Sequence, residues 1–337
     1  MPDIHAARRR RAQPLIRESQ ADAALITSGP HVRYLTGLAS SNAALLLPAE
    51  GDAALLATDS RYAGAARRGL RRLAFEADEM PVERYEELRA RADGVTLLPL
   101  GRKIEALRVV KDADELEKLA VACRLTDAAL AQVLPQIRPG LSERTLAAAL
   151  DHAMAVAGAE SPAFDTIVAA GPNGAIPHHA PTARELRRGD LVTMDFGARH
   201  DGYHADMTRT VAIGPVADWQ REIYGLVARA QQAGIAALAD GAEAGAVDAA
   251  ARDVIEAAGH AGHFQHGLGH GVGLEIHEAP MLGYGRTSKL TDRVPVTVEP
   301  GVYLPGEGGV RIEDVLVVTA GDRARFLTLT TRELLVL

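Results

Sequence analysis

The stretch LVTMDFGARHDGYHADMTRTVAIG, residues 191–214, has a counterpart later in the chain, VPVTVEPGVYLPGEGGVRIEDVLVVTAG, residues 294–321. Each opens with an apolar run holding a threonine, an apolar residue, an acid, one further residue and a glycine. In the first this is Thr193-Met194-Asp195-Phe196-Gly197, in the second Thr297-Val298-Glu299-Pro300-Gly301. Each then passes a glycine-containing turn and returns through a second apolar run with another acid, Asp206 or Glu313. Folding the first back between His200 and Asp201, and the second at Gly306, sets each acid within a residue or two of its partner across a hairpin. Four carboxylates then sit in apolar strands, where an ionised acid is costly to bury without a cation or is forced to protonate. One such hairpin could be a half-exposed strand pair. Two of matching layout, beside a histidine cluster, point to a metal centre.

That cluster is HGLGHGVGLEIHEAP, residues 266–280, with His260 and His263 just upstream. The four-residue step from His266 to His270 could be one helix face, but HGLGHG is too glycine-rich for a helix interior. Four carboxylates and one histidine form a hard donor set with charge for two divalent ions. Such a set favours manganese, iron or cobalt over the tetrahedral Cys/His chemistry of structural zinc.

The rest of the chain sets the frame. Its 337 residues allow two domains, and a content of 47% hydrophobic and 24% charged residues is that of a globular protein. The single cysteine, Cys123, excludes an intrachain disulfide, fits a reducing compartment and reads as a small buried apolar side chain. The basic N-terminus lacks an apolar segment after it, so no signal peptide is expected, and no apolar run is long enough for a bilayer. A cytoplasmic protein with no membrane partner is the expectation. The Arg8–Arg11 run is too short and isolated to suggest nucleic acid and reads as a solvated helix face. Net charge is −7. Residues 1–108 hold 17 basic and 14 acidic side chains and the remainder 20 and 30, so the acid is concentrated where the paired hairpins lie.

Residues 1–108 alternate helical and strand signals. AARRRRAQPLIRESQ predicts a helix, AALITS a strand, NAALLLPAEGDAALLA two strands around a Glu-Gly-Asp turn, SRYAGAARRGL a helix and VTLLPLG a closing strand. From Val109 two long amphipathic helices follow, the first capped by Asp112 or Asp114, the second capped by Ser142 and closing near Gly158. Residues 218–258 predict two helices interrupted at Gly241 and Gly245. The expected class is α/β (α+β): a smaller domain over 1–108 and a catalytic domain over 109–337 with a pseudo-twofold hairpin repeat.

The segments MDFGARHDGYHADMTRT, HGLGHGVGLEIHEAP, VEPGVY and GVRIEDVLVVT resemble the pita-bread metallopeptidases, family M24, of the prolidase and Xaa-Pro aminopeptidase (aminopeptidase P) branch. FDTIVAAGPNGAIPHH is similar to that family's segment with a catalytic histidine. HVRYLTG and TDSRYAGAARR resemble its creatinase-like N-terminal domain. The resemblance spans nearly the whole chain. It implies that Asp195, Asp206, His270, Glu299 and Glu313 bind two divalent ions, manganese first and cobalt, iron or zinc as alternatives, with Asp206 and Glu313 bridging. It also implies catalytic roles for His178, His277 and Glu299, and substrate contacts for His266, His277 and Arg311. His179, next to His178, is the lesser candidate.

The implied reaction is hydrolysis of the Xaa-Pro bond at the N-terminus of a proline-containing peptide, by a hydroxide held between the ions. Glu299 carries the proton and the neutral histidines stabilise the oxyanion. An Xaa-Pro bond offers no N–H to grip, so the site must read ring shape, and the glycines around the histidines are expected to leave room for the ring. The alternative is a prolidase restricted to Xaa-Pro dipeptides, and the remote one a non-catalytic pita-bread binding module. The resemblance further implies a homodimer, with the first domain shaping access to the site.

Overall fold

The computed structural model describes residues 4–51, 53–57, 71–321 and 323–337. The chain divides into two compact units, Met1–Arg108 and Val109–Leu337. Among the described residues no helix is long and apolar enough to cross a membrane.

The first unit is built on a mixed five-stranded sheet. Strand Ala23–Ile26 lies at its centre, antiparallel to Ala44–Pro48 and parallel to Arg72–Phe75. Leu55–Ala57 and Thr96–Pro99 form the edges. The helix expected in SRYAGAARRGL falls outside the described residues. Helix Ile4–Glu18 carries the arginine run, but Arg8 is not solvated. It is 3% exposed, donates to the Tyr34 carbonyl and stacks on the Tyr34 ring 4.6 Å from its centroid. Arg9 donates to the Leu35 carbonyl at 2.8 Å. These two arginines cap the C-terminal carbonyls of helix Gly29–Thr36, where cations are favoured.

The second unit repeats one plan twice. In the first half, helices Ala113–Val133 and Glu143–Ala157 pack on a three-stranded antiparallel sheet of Ile167–Ala170, Leu191–Phe196 and Met207–Ala212. Leu130, Leu146, Leu150 and Met154 meet Val168, Met194, Phe196 and Val211 there. In the second half, helices Asp218–Ala237 and Ala244–Ala257 cover a sheet that includes Gly269–Gly271, Glu278–Leu282, Pro295–Val298 and Asp314–Val317. Its core joins Leu226, Val227, Val247 and Ala251 to Val296, Val298 and Leu316.

Local chemistry explains the helix ends. Asp112, rather than Asp114, caps the first helix in a reciprocal capping box with Glu115. Ser142 caps the second, which stops at Gly158 in the left-handed region. Helices three and four part between Ala237 and Ala244, with Gly241 in the break. Gly245 does not interrupt. It lies inside the fourth helix, where a Cβ would come within 2.7 Å of the Arg286 carbonyl, so its smallness serves a close approach. Cys123 is fully buried, which pushes its thiol pKa up.

Candidate metal centre

The two hairpins bring the acids together. In the first, Asp195 stands opposite Thr208 and His200 opposite Tyr203. The turn is therefore Asp201-Gly202, both at positive φ (45° and 80°), one residue later than the sequence symmetry implied. An Asp-Gly pair with both residues left-handed is the two-residue turn that matches strand twist. In the second, Val298 faces Asp314 and Gly301 faces Arg311, a common register that sets Glu299 opposite Glu313. His270 reaches the same place from strand Gly269–Gly271, which pairs with Pro295–Val298 at Gly271 and Val296.

Asp206, His270 and Glu313 each present a ligand atom within 4.8 Å of the others, all three buried. His270 Nε2 lies 3.5 Å from Asp206 Oδ2 and 3.4 Å from Glu299 Oε1. Asp195 completes the group: its Oδ2 accepts from Arg311 Nη2 at 2.6 Å, while its Oδ1 is buried with no hydrogen-bond partner. Each hairpin also supplies a threonine that aims a glutamate. Thr208 Oγ1 accepts from Arg311 Nε and donates to Glu313 Oε2 at 2.7 Å. Thr297 Oγ1 accepts from the His270 N–H and donates to Glu299 Oε1 at 3.3 Å.

The electrostatics of this arrangement ask for a cation. Burial, then the charges of Asp195 and Glu299, push the Asp206 pKa well above the usual carboxylate range. Burial, then Asp206, Glu299 and Asp195, do the same to Glu313. Burial raises Glu299 as well, against the opposing pull of His270. Four acids repelling one another in a low-dielectric pocket, one with an orphaned oxygen, fit divalent metal as nothing else among the described side chains does.

A cavity of about 1100 Å³ opens over this group. His178, His266, His277 and Arg311 all line it, together with the five acidic and histidine residues above. The His277 ring meets that of His270 edge-to-face at 4.3 Å. Its pKa is lowered by burial and then by His270 and His178, which keeps it neutral near pH 7. His266 is pushed down to about 4, chiefly by burial and then by Arg311. A neutral His266 donates from Nδ1 to the Gly267 carbonyl at 2.8 Å, which assigns Nε2 as acceptor of the Tyr303 hydroxyl, also at 2.8 Å. Tyr303 Oη in turn accepts from Arg311 Nη1 at 2.9 Å, so a chain of hydrogen bonds runs from His266 through Tyr303 and Arg311 to Asp195. Arg311, expected to contact substrate, is 3% exposed and directs Nε, Nη1 and Nη2 to protein acceptors. Tyr303 carried no sequence signal beyond its place in VEPGVY.

Two further expectations are sharpened. His179 turns away from the role considered for its neighbour: it is buried and its Nε2 lies 2.9 Å from Glu143 Oε2. Glu143 also accepts from Ala170 N, Asn173 and Thr182, and so fixes the segment on which His178 is carried. Burial alone would raise the Glu143 pKa, but these donors hold it down at about 2 against 4.5 for a free glutamate. With the folded value depressed, the carboxylate contributes stability fully above about pH 4.5 and loses it as pH falls towards 2. Denaturant midpoints at pH 7 and pH 3 should therefore show the advantage of the wild type over Glu143→Gln shrinking in acid; parallel curves would refute this.

The second concerns the glycines of HGLGHG. A Cβ at Gly269 would overlap the Thr297 carbonyl, and one at Gly271 the Ala279 carbonyl. These glycines let neighbouring backbone pass, and Gly267 and Gly269 also line the cavity.

Comparison with known proteins decides the lineage. Residues 117–320 match the model of metallopeptidase family M24, and residues 8–71 and 64–110 match the creatinase/prolidase N-terminal domain. This chain belongs to metallopeptidase family M24. As an M24 enzyme it is a hydrolase that depends on divalent metal. Relatives place it in the Xaa-Pro branch of the family. It is 34% identical to the Xaa-Pro dipeptidase of Pyrococcus horikoshii over 337 residues, covering 94% of this chain and 95% of that one. Its fold is similar to an Xaa-Pro dipeptidase from Bacillus anthracis, with a TM-score of 0.93, 34% identity and 99% of each chain covered. It is also similar to an X-Pro aminopeptidase from Thermotoga maritima, with a TM-score of 0.89, 30% identity, and 96% and 100% of the two chains covered.

Proposed function

We propose that this M24 enzyme cleaves the Xaa-Pro bond at the N-terminus of peptides, with Asp195, Asp206, His270, Glu299 and Glu313 holding two divalent ions. The observation that carries the metal assignment is the buried, unpartnered Oδ1 of Asp195 facing a group of mutually repelling carboxylates. Asp206 and Glu313, both nearly sealed from solvent, would hold metal from the floor of the site. Hard oxygen donors with one imidazole suit manganese, with cobalt, iron and zinc as alternatives. When bound, the ions supply Lewis acidity and lower a water's pKa from about 15.7 towards roughly 7.

The chain's own residues do the rest. Glu299 takes the proton of the attacking water at its carboxylate and delivers it to the proline nitrogen as the C–N bond breaks. His277, its pKa lowered by partial desolvation at the cavity wall and then by His270 and His178, joins His178 in offering an N–H group to the carbonyl oxygen as it gains charge. Arg311 acts behind the acids: it fixes Asp195 Oδ2 and leaves the unpartnered Oδ1 available to hold metal. His266, held by Tyr303, forms a neutral wall of the cavity.

A cavity of about 1100 Å³ has room for peptides longer than two residues as well as for a dipeptide. The second reading, a prolidase restricted to dipeptides, is supported by the names of the Pyrococcus and Bacillus anthracis relatives and by Arg286. That exposed cation lines the cavity with no carboxylate partner among the described residues, so it could hold a dipeptide's C-terminal carboxylate.

Hydrolysis of Xaa-Pro and Xaa-Pro-Xaa by the manganese-loaded enzyme separates the two. We expect both to be cut, Xaa-Ala to be spared, and Arg286→Ala to raise KM for the dipeptide more than for the tripeptide. Cleavage of the dipeptide alone would select the second reading, and equal rates on Xaa-Ala would remove the proline claim.

A further inference from the structure

His277 is exposed at the cavity on a loop, and its placement depends on what anchors that loop. Strands Gly269–Gly271 and Glu278–Leu282 pair antiparallel with a break in register: His270 faces Met281, but Gly271 faces Glu278. Residues 272–277 therefore leave and re-enter the sheet beside His270, and return His277 to its ring.

Two ties hold this excursion. Gly273 is fixed to the first acid hairpin, its carbonyl accepting from the His204 backbone N–H at 2.9 Å and lying 3.0 Å from His204 Nδ1. Glu278, the residue after His277, is 3% exposed and folds its carboxylate over Gly273, where a Cβ would crowd it. That carboxylate pairs with Lys111 Nζ.

Lys111 is itself 1% exposed, immediately before the cap of helix Ala113–Val133, and its backbone N–H donates to the Arg293 carbonyl. One turn on, Glu115 accepts from the Tyr203 hydroxyl at 3.0 Å on the hairpin that carries Asp206. The start of this helix thus grips the His277 loop and the Asp206 hairpin from one rigid element.

A buried ion pair is a poor source of stability, since both ions give up hydration that an apolar pair of the same volume would not need. What it supplies is direction, because the buried Glu278 carboxylate is held against the Lys111 cation. We infer that Lys111 is a positioning residue for His277: through Glu278 it fixes the loop so that the imidazole faces the reacting carbonyl. This rests on the donor role proposed above for His277.

A double-mutant cycle on the manganese-loaded full chain tests it, using Lys111→Met, His277→Ala and the two combined. We expect Lys111→Met to lower kcat on an Xaa-Pro substrate about tenfold or more, with metal content retained and KM within a few-fold. In the His277→Ala background the same change should move kcat by less than about twofold, because its effect passes through the missing ring. Lys111→Arg should restore part of the loss.

Equal losses in both backgrounds, or no loss in the wild type, would overturn the inference and leave the pair a structural one. A His277→Ala enzyme with unimpaired kcat would instead remove the donor role, and the inference with it. If Lys111→Met does not fold, the uncharged pair Lys111→Met/Glu278→Leu removes both members together and enters the same cycle with the same two outcomes.

Discussion

Asp206→Asn should cost the enzyme roughly a thousandfold or more in kcat on an Xaa-Pro substrate while making the metal-free protein more robust. The first effect follows from the position of Asp206, 4% exposed and 3.5 Å from the His270 imidazole, in the group proposed to hold metal. An amide keeps the shape but removes the charge that holds the metal, and with it the activation of the attacking water. The second follows from the sign of its pKa shift. Burial and the neighbouring Asp195 and Glu299 raise the folded value, so near neutral pH the ionised form opposes folding until a cation is present. Asparagine removes that repulsion. Melting curves with and without manganese should show a metal-dependent rise in the wild type that is largely lost in the variant, as expected for a ligand that binds only the native state. The metal-free variant should melt no lower than the metal-free wild type. A variant that keeps both activity and the metal-dependent rise would contradict the assignment.

Glu299→Gln should lower kcat by roughly 10²–10⁴-fold, the range assigned to a positioned general base, with much less effect on KM. Glu299 is the most open of the four acids: its side chain is 17% exposed, against 12% for Asp195 and 6% for Asp206, and Glu313 is 1% exposed. Its Oε1 receives a hydrogen bond from Thr297 and lies 3.4 Å from His270 Nε2. Glutamine can still offer a carbonyl oxygen at that position but cannot take up a proton. Metal analysis should therefore find the ions retained in large part while turnover is lost. Loss of metal in proportion to activity would make Glu299 a ligand only, and would pass the proton to another group.

Both predictions rest on residues readable in the sequence, and the reason is geometric. A hairpin pairs residues symmetrically about its turn, so acids placed symmetrically about a glycine turn must meet whatever the rest of the fold does. The symmetry misplaced the first turn by one residue, because an Asp-Gly pair takes the two central positions. The helix caps at Asp112 and Ser142 were legible for a similar reason, as each acts within its own first turn.

What stayed hidden was every role set by a distant partner. Glu143 is unremarkable as a first-turn helix residue until His179, Asn173 and Thr182 fold onto it. Tyr303 and Thr208 read as ordinary strand residues, and Arg311 as a substrate contact, until the hydrogen bonds that join them to Asp195 and Glu313 are formed. Lys111 and Glu278, 167 positions apart, give no sign of each other in the chain. Arg8 misled for the opposite reason: a run of four arginines signals solvent, yet a single turn of helix puts one of them under Tyr34. The glycines of HGLGHG were correctly marked as places of close approach, and at Gly269 and Gly271 neighbouring backbone is what approaches.

The measurement that bears most directly on the whole account is the metal stoichiometry at which Xaa-Pro hydrolysis saturates. The purified chain would be stripped with a chelator, reloaded with manganese in steps, and assayed for bound metal and hydrolysis in the same samples. Turnover should be negligible without metal and should reach a plateau at two ions per chain. Full turnover in the stripped protein, or a plateau with no ion held by the Asp195–Asp206–His270–Glu299–Glu313 group, would contradict the metal assignment.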